Sequence, residues 1–288
     1  DKPDYYTHPD GSLKYPPSWV QEEAAKGKIE HPHVPTIVFL SALVADDLTR
    51  EYIATDVDII ALDFCQRNFS RPITLLPPLM QRIDELGRSV TGKAKPLWVI
   101  LQVCASNMAA TTPEENRALT YMALVHGAKG LGWWAYLYAT HYDAEGTGVH
   151  VRVQDAHPAL WVSMRRMCSE VNSMSEALAA DRPAETQRAG TVAYREVWDN
   201  RYHWLIAVEE LGVAQHVEMT VHLDPERISE REARVLTEAR NVTVLDGQYG
   251  LRISDGFKPF EAHSYCFRLK EGAEPQPPAP MLGKGGYF

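Results

Sequence analysis

The sequence predicts an α/β domain with a parallel sheet, followed by an all-β domain. Between residues 35 and 180, short apolar segments alternate with amphipathic helical segments in the order β-α-β-α-β-α-β-α, the pattern of parallel strands covered by helices. After Pro183, single apolar and polar residues alternate within each segment, which is typical of half-buried antiparallel strands. The expected organisation is a loop-rich N-terminal segment (1–34), an α/β domain (35–183), an antiparallel β-sandwich (184–270) and a Pro/Gly-rich tail (271–288).

The N-terminal segment is rich in Pro, Tyr and His, which is typical of loops. One short helix is predicted from Trp19 to Lys28, with Ser18 as its cap. His31 and His33 form an H-x-H pair that can bind a metal, but the prolines around them favour a rigid loop into the next strand.

Four buried-type strands and four helices make up the α/β domain. Continuous apolar runs are expected of strands buried on both faces, and each helix carries an apolar stripe at helical spacing. The predicted strands are Pro35 to Ser41, Val57 to Phe64, Pro96 to Val103 and Gly130 to Tyr136, and the predicted helices are Ala45 to Thr55, Pro77 to Val90, one beginning at Thr112, and Pro158 to Ala180. Four such units are half of a closed (β/α)8 barrel of the TIM type.

The helix that begins at Thr112 has sequence signals at both its start and its end. Thr112 can cap it, Pro113 suits its first turn, and Glu115 stands where a capping box places its carboxylate. Gly127 is a stop signal. A well-defined helix leading into the fourth strand is therefore expected.

The all-β domain is predicted from a hairpin and four further strands. The hairpin turns at Asp199-Asn200-Arg201. Its predicted strands are Thr191 to Trp198 and Tyr202 to Val208, and the others are Val217 to Leu223, Arg234 to Leu245, Tyr249 to Ile253 and Ala262 to Leu269. This series predicts an antiparallel sandwich.

Charge and composition exclude several classes of function. The 288-residue chain has a formal net charge of −9 and no basic run, which argues against nucleic acid and anionic membranes and is compatible with a neutral substrate. No glycine-rich phosphate loop follows a strand, so no nucleotide cofactor is expected. The four cysteines lack zinc or redox spacing, and Cys168 is expected to be buried on a helix. No apolar run approaches the ~20 residues of a membrane span, and localisation stays open between cytoplasm and export.

Candidate site residues stand at the ends of the predicted strands, where a barrel of this kind carries its active site. Ser41, Asp63 and Gln102 end the first three strands. A buried carboxylate such as Asp63 needs a partner or a chemical role, although it could simply bond the adjacent loop. The amide of Gln102 can hold a hydroxyl with its donor and acceptor ends but cannot act as a nucleophile or an acid.

Aromatic residues end the fourth strand. Trp133, Trp134 and Tyr136 would suit the floor of a sugar site, and for one of the tryptophans packing inside the barrel is the alternative. The polar segment from His141 to Glu145 is predicted as a loop that could close over a ligand, although loops of this composition are usually only solvated.

Several segments together resemble the second half of a (β/α)8-barrel glycoside hydrolase of clan A, the group that includes the β-galactosidase-like enzymes. These are VDIIALDF, PLWVILQV and TPEENRALTYMALVHGAKGLGWWAY, followed by HPALW and a long helix. The strand in SDGFKPFEAHSYCFRL is similar to the end of the β-sandwich that follows the barrel in those proteins. The resemblance covers about residues 1–270, and no single motif in it is unique.

The resemblance also implies where the catalytic carboxylates should stand. In such enzymes one glutamate ends the fourth strand and another ends the seventh, and here Lys2 and Gln102 occupy those places. A retaining glycosidase needs two carboxyls about 5 Å apart, and an inverting one needs them about 6.5–9.5 Å apart. Asp63 with Asp1, or Asp63 with Glu145, are the candidate inverting pairs.

On this resemblance the chain starts at the end of the fourth strand, so four βα units are missing. An open parallel sheet would expose an edge and an apolar inner face. The chain could be a fragment, could pair with another chain that carries the missing half, or could join a second copy of itself around a twofold axis. The homo-oligomer is the hypothesis adopted here.

Two functions follow as expectations. The first is a glycoside hydrolase acting on a neutral saccharide, without cofactor or metal, in which Asp63 is the acid or base and Gln102 and the aromatic residues bind the sugar. The second is a non-catalytic carbohydrate-binding or scaffold protein on a decayed barrel, favoured by Lys2 and Gln102. A metal hydrolase using His31 and His33 is a third, more distant reading of the sequence.

Overall fold

The computed structural model describes eight stretches of the chain. They are residues 7–41, 45–64, 72–103, 110–134, 137–142, 148–180, 185–236 and 238–272, with the backbone alone described at 137–142 and 148–151. The chain divides into two compact units, Asp1–Arg165 and Arg166–Phe288. The domain boundary expected near residue 183 stays a prediction.

The first unit contains a four-stranded parallel sheet, as the alternation of strands and helices predicted. Its strands lie in the order β1-β2-β3-β4 and every neighbouring pair is parallel. The strands are β1 (Ile37–Ser41), β2 (Ile59–Phe64), β3 (Leu97–Gln102) and β4 (Gly130–Trp134). The helices between and before them are α1 (Pro17–Glu30), α2 (Asp46–Ala54), α3 (Leu76–Thr91) and α4 (Pro113–Val125).

The two faces of this sheet differ in burial. Leu40, Leu62 and Val99, which are in register across β1, β2 and β3, are fully buried. On the opposite face, Trp98 remains 37% exposed. Alternation along each strand places successive side chains on opposite faces, so one face is buried across β1, β2 and β3 and the other is partly open.

Helix α4 begins with the capping box that the sequence predicts. The Thr112 hydroxyl accepts a hydrogen bond from the Glu115 backbone N–H at 3.1 Å, and Glu115 Oε2 accepts one from the Thr112 backbone N–H at 3.0 Å. Gly127 follows the helix with φ of +89°, a left-handed conformation that glycine adopts without steric cost. The beginning and end of α4 are therefore fixed by local chemistry.

The segment after β4 differs from its predicted loop. An antiparallel pair, β5 (Leu137–Tyr142) and β6 (Gly148–Arg152), is followed by the short helix α5 (Val153–Ala156). The loop predicted from His141 is wrong at His141 and Tyr142, because both lie in β5. The run LYATHY is rich in aromatic and β-branched residues, which favour strands.

The long helix predicted from Pro158 to Ala180 is interrupted. It forms α6 (Pro158–Ser173) and α7 (Ser175–Ala179), with Met174 between them. Cys168 of α6 is exposed, so the expectation that it is buried is wrong. No helix in the described stretches has the length and apolar character needed to cross a membrane.

The second unit contains an eight-stranded antiparallel sheet. Its order is β10-β13-β12-β11-β14-β9-β8-β7. The strands are β7 (Gln187–Ala189), β8 (Val192–Trp198), β9 (Tyr202–Glu209), β10 (Gln215–Val221), β11 (Glu232–Val235), β12 (Arg240–Gly247), β13 (Gly250–Phe257) and β14 (Ala262–Arg268). The antiparallel β prediction is confirmed, but the strands form one nearly closed sheet and a two-sheet sandwich is not confirmed. The single strand predicted from Arg234 to Leu245 is the hairpin β11–β12.

The outer strands β7 and β10 are joined by Glu196, a residue of β8 that is 1% exposed. Its carboxylate accepts hydrogen bonds from His203 Nε2 at 2.7 Å and His222 Nδ1 at 2.6 Å. It also accepts from the His222 backbone N–H at 2.9 Å and from Gln187 Nε2 at 3.1 Å. Because Gln187 belongs to β7 and His222 directly follows β10, one carboxylate connects the two free edges of the sheet. We call Glu196, Gln187, His203 and His222 the Glu196 cluster.

Candidate functional site

The candidate site lies at the C-terminal edge of the parallel sheet in the first unit. Ser41 is in register with Asp63 across β1 and β2, and Asp63 is in register with Ile100 of β3. Gln102 lies two residues beyond Ile100 and is in register with Trp134 of β4. Residues in register, or two apart on one strand, share a face, so Ser41, Asp63, Gln102 and Trp134 all lie on one face of the sheet.

Asp63 and Gln102 are almost completely buried at this edge. Asp63 is 5% exposed and Gln102 is 1% exposed, and each has an interaction partner. From strand spacing and rise, their Cα atoms are about 8 Å apart. A buried carboxylate and a buried amide therefore stand on neighbouring strands of the same face.

The two tryptophans at the end of β4 point in opposite directions. The Trp133 indole N–H donates to Asn116 Oδ1 of α4 at 3.2 Å, so Trp133 lies on the helix-covered face. Trp134 is 62% exposed and lies on the face of Asp63 and Gln102. The geometry favours Trp134 as the aromatic platform and a packing role for Trp133, whose substrate contact stays a prediction.

Trp98 is a further aromatic residue on this face, and it was not among the residues predicted at the strand ends. It lies four residues before Gln102 on β3 and therefore on the same face. Its ring lies across Gly130 of β4, where an added Cβ would overlap it, and Ile100 similarly covers Gly132 at 2.8 Å from such a Cβ. The signal was present in the sequence: glycine at alternate positions of β4 leaves room for large side chains of the neighbouring strand.

Thr111, just before α4, is hydrogen-bonded to the end of β3. The Thr111 hydroxyl donates to the Gln102 backbone carbonyl at 2.8 Å, and the Thr111 N–H donates to the Val103 carbonyl at 2.9 Å. Thr111 directly precedes the cap of α4, so the first turn of α4 is tied to the strand end that carries Gln102. This contact fixes the backbone on which the amide stands.

Other predicted site residues cannot be placed against this edge. Asp1, Lys2, Tyr136 and Glu145 lie outside the described residues, and for His141 the backbone alone is described. The pairing of Asp63 with Asp1 or with Glu145 therefore stays a prediction. Within the described stretches no group of three or more His, Cys, Asp or Glu side chains is arranged to hold a metal ion.

The described part of the edge provides one carboxyl group, one amide, the Ser41 hydroxyl and one exposed indole, that of Trp134. A carboxyl can transfer a proton to or from a reacting oxygen, and an amide can hold a hydroxyl with both its ends. Hydrolysis of a glycoside requires a second carboxyl. The described edge therefore has groups that can hold a hydroxyl and one carboxyl that can transfer a proton, but no second carboxyl among its described residues.

Comparison with known proteins gives a likeness in fold. No protein-family model and no curated protein matches the sequence. Among solved structures, an α-amylase from Geobacillus thermoleovorans in complex with acarbose is 12% identical with a TM-score of 0.53, over 90% of this chain and 58% of that one. An Anoxybacillus α-amylase is 15% identical with a TM-score of 0.50, over 90% and 57%. The family 30 xylanase Xyn30A from Clostridium acetobutylicum is 11% identical with a TM-score of 0.50, over 94% and 65%.

These similarities concern the fold and part of the length of each similar protein. The chain spans less than two thirds of the length of each of the three structures. At such low identity the likeness shows the fold alone, and the same fold carries many activities. The similar structures are named as two α-amylases and a glycoside hydrolase family 30 xylanase, which agrees with the class of fold that the sequence resembles.

Proposed function

We propose that this chain is a glycoside hydrolase-like protein that acts on a neutral saccharide at the C-terminal edge of its parallel sheet. The observation that carries the proposal is the position of Asp63, a buried carboxylate on the same face as Gln102 and the exposed indole of Trp134. The strand ends are where α/β folds of this kind bind ligands. The fold likeness to α-amylases and a xylanase supports the same class of chemistry by analogy.

Each of these residues has a role in the proposed reaction. Asp63 donates a proton to the leaving glycosidic oxygen or accepts one from the attacking water. Gln102 holds a neighbouring sugar hydroxyl, and the Trp134 ring stacks on the apolar face of the sugar. Asp1 or Glu145 supplies the second carboxyl, at the wider separation that leaves room for water in an inverting reaction.

We also infer that the four-stranded sheet is half of a (β/α)8 barrel that a second copy of the chain completes. Its outer strands, β1 and β4, run parallel to each other, and Trp98 and Trp134 are exposed on its open face. A twofold axis along the strands would pair β4 of one copy with β1 of the other and bury Trp98 inside the barrel, whereas Trp134 at the strand end would stay at its mouth. Light scattering at micromolar concentration tests this by measuring the oligomeric state. A dimer supports the completed barrel, and a clean monomer shows that a second copy does not supply the other four strands.

The activity is tested by replacing Asp63. In a panel of aryl glycosides and polysaccharides, Asp63→Asn is expected to abolish turnover while leaving the urea unfolding midpoint close to that of the wild type. The control is Asp58→Asn at the opposite end of the same strand. There Asp58 Oδ2 accepts bonds from the Thr36 N–H and hydroxyl, both at 2.8 Å, and an asparagine oxygen can still accept them. Unchanged turnover in Asp63→Asn would remove Asp63 from the chemistry.

The second candidate is a non-catalytic carbohydrate-binding protein on a decayed barrel. The observation in its favour is Gln102, an amide at the end of β3 where the resemblance leads one to expect a carboxylate. Wild-type protein that binds a polysaccharide but cleaves none of the panel would favour this function. Measurable cleavage that depends on Asp63 would exclude it.

A further inference from the structure

The second unit carries a groove on the side of its antiparallel sheet that faces away from its core. On β9, Leu205 and Ala207 belong to the hydrophobic core, so the alternating residues Tyr202 and Trp204 lie on the opposite face. Both line a groove of about 530 Å³ that crosses β9, β14, β11 and β12. This volume lies within the range of small-molecule sites, roughly 300–1,000 Å³.

The floor of the groove is aromatic. The rings of Tyr202 and Trp204 have centroids 5.5 Å apart and are inclined by 49°, so they form a bent surface rather than a flat stack. Tyr202 is half-buried, and Trp204 is 3% exposed with an indole N–H that has no acceptor among the described residues. Because Trp204 is buried, the part of this floor that is open to a ligand is the Tyr202 ring, which suits the apolar face of a ring whose edges carry polar groups.

The walls of the groove carry charges that do not pair with one another. Arg234 and Arg268 line it from β11 and β14, and Glu230 and Glu232 line the same groove. None of the four forms an ion pair with any described residue, although Glu232 Oε2 accepts a hydrogen bond from Asn241 Nδ2 at 2.6 Å. Two guanidinium groups and two carboxylates give the lining a formal charge of zero, so it offers donors and acceptors without attracting an ion of either sign.

The groove offers binding without covalent chemistry. Cys266 also lines it, but burial raises the pKa of its thiol to about 12. The thiol is therefore protonated at neutral pH and is a poor nucleophile.

We propose that this groove is a second saccharide-binding site, separate from the parallel sheet, and that it takes a neutral sugar. Sugar hydroxyls donate and accept hydrogen bonds together, which matches a wall of unpaired arginine and glutamate side chains. The carbon face of the sugar ring lies on Tyr202. The proposal does not depend on catalysis at Asp63, because every residue it uses belongs to the second unit.

Affinity electrophoresis of the full chain tests the proposal, with native gels that contain soluble starch, xylan or polygalacturonate. Wild-type protein is expected to be retarded by a neutral polysaccharide. Tyr202→Ala and Arg234→Ala should each weaken that retardation roughly tenfold, the effect of losing one stacked ring or one set of hydrogen bonds. The matched control is Tyr249→Ala, since Tyr249 is 62% exposed in the same unit but lies outside the groove, and its binding should equal that of the wild type.

The outcomes separate the groove from the sheet edge. Asp63→Asn is expected to keep full retardation even where it loses turnover, so a failure of the proposed hydrolase leaves this test intact. Wild-type migration with both Tyr202→Ala and Arg234→Ala would overturn the groove as a site. Retardation by polygalacturonate alone would overturn the neutral class of ligand, and no retardation of the wild type in any gel would overturn the proposal entirely. Arg234 is exposed, so its variant remains informative if the tyrosine variant unfolds.

Discussion

Replacing Glu196 by glutamine should destabilise the second unit by about 3 kcal/mol near pH 5.5. The carboxylate is buried and accepts four hydrogen bonds within the Glu196 cluster. Glutamine keeps the shape but turns one oxygen into an N–H donor that meets other donors. Removing one partner from a buried charged pair costs about 3–5 kcal/mol because the remaining group is left uncompensated.

The pKa of Glu196 gives a similar value for its contribution to the folding free energy. Burial opposes its ionisation, but the hydrogen bonds from His203 and His222 outweigh burial and lower the pKa from 4.5 to about 2. A shift of this size corresponds to about 3 kcal/mol of folding free energy. Because the folded pKa is depressed, this stability is present above about pH 4.5 and is lost as the pH falls toward 2.

His222 sets the upper limit of the pH range in which the Glu196 cluster stabilises the second unit. Its hydrogen bond to Glu196 raises its pKa above 6.5, so its contribution is complete below that pH and is lost as the pH rises through the folded value. The Glu196 cluster should therefore stabilise the unit most between about pH 4.5 and 6.5.

Urea unfolding followed by tryptophan fluorescence measures the effect, since Trp198 stacks on His203 with ring centroids 5.6 Å apart. The gap between the wild type and Glu196→Gln should narrow by about 2 kcal/mol between pH 5.5 and pH 3. Glu218→Gln is the control, because the ion pair of Glu218 with Arg252 is exposed and worth less than about 1 kcal/mol. A variant within 1 kcal/mol of the wild type at pH 5.5, or a gap that does not change with pH, would refute the role assigned to the cluster.

Three further predictions concern the rest of the fold. Thr112→Ala should cost about 1 kcal/mol of stability in urea by removing the cap of α4, and Thr112→Ser should restore it. Gly130→Ala should destabilise the parallel sheet by roughly 1–3 kcal/mol because its Cβ meets the Trp98 ring; in a double-mutant cycle Trp98→Ala should recover most of this loss, and strict additivity would contradict the contact. Maleimide labelling followed by peptide mapping should modify exposed Cys168 well before Cys266, whose thiol is held protonated.

The parts of the fold that rest on local chemistry were predictable. The capping box at Thr112 and Glu115 appears where the sequence placed it, because every atom involved lies within one turn of helix. The four parallel strands were predicted from continuous apolar runs such as VDIIALDF and PLWVILQV. The expected burial on both faces is confirmed only for β2, because β1, β3 and β4 have partly exposed residues on at least one face.

Boundaries of strands and helices that carry no capping or turn residue were not predicted from the sequence. The hairpin between β11 and β12 turns through Ala239, which adopts a φ of +49°, a conformation that sequence rules reserve for Gly, Asn or Asp. Met174 separates α6 from α7, and neither glycine nor proline at this position predicts the break. In both cases tertiary packing rather than residue type decides where the element ends.

The candidate site was predicted in part. Alternation along β3 and β4 could have shown that Trp98 shares the face of Gln102 and that Trp133 and Trp134 point apart. Which of these faces is covered by helices depends on how the chain crosses the sheet. A strand with apolar residues on both faces does not show which face the helices cover. The contact between Trp133 and Asn116 supplies that information.

The connection that Glu196 makes between β7 and β10 also bears on aggregation. The outer strands of a sheet present unpaired N–H and C=O groups that can template strands of other molecules. Glu196 is one link between the outer strands, and Gln215 of β10 is a second because it hydrogen-bonds Thr191 just after β7. Protonation of Glu196 in acid therefore weakens the closure of the sheet and exposes its edges while the hydrophobic core is still packed. Acid should therefore drive molecules of this protein into intermolecular β-pairing before it unfolds them, and thioflavin fluorescence should rise at a pH where the circular dichroism is still native.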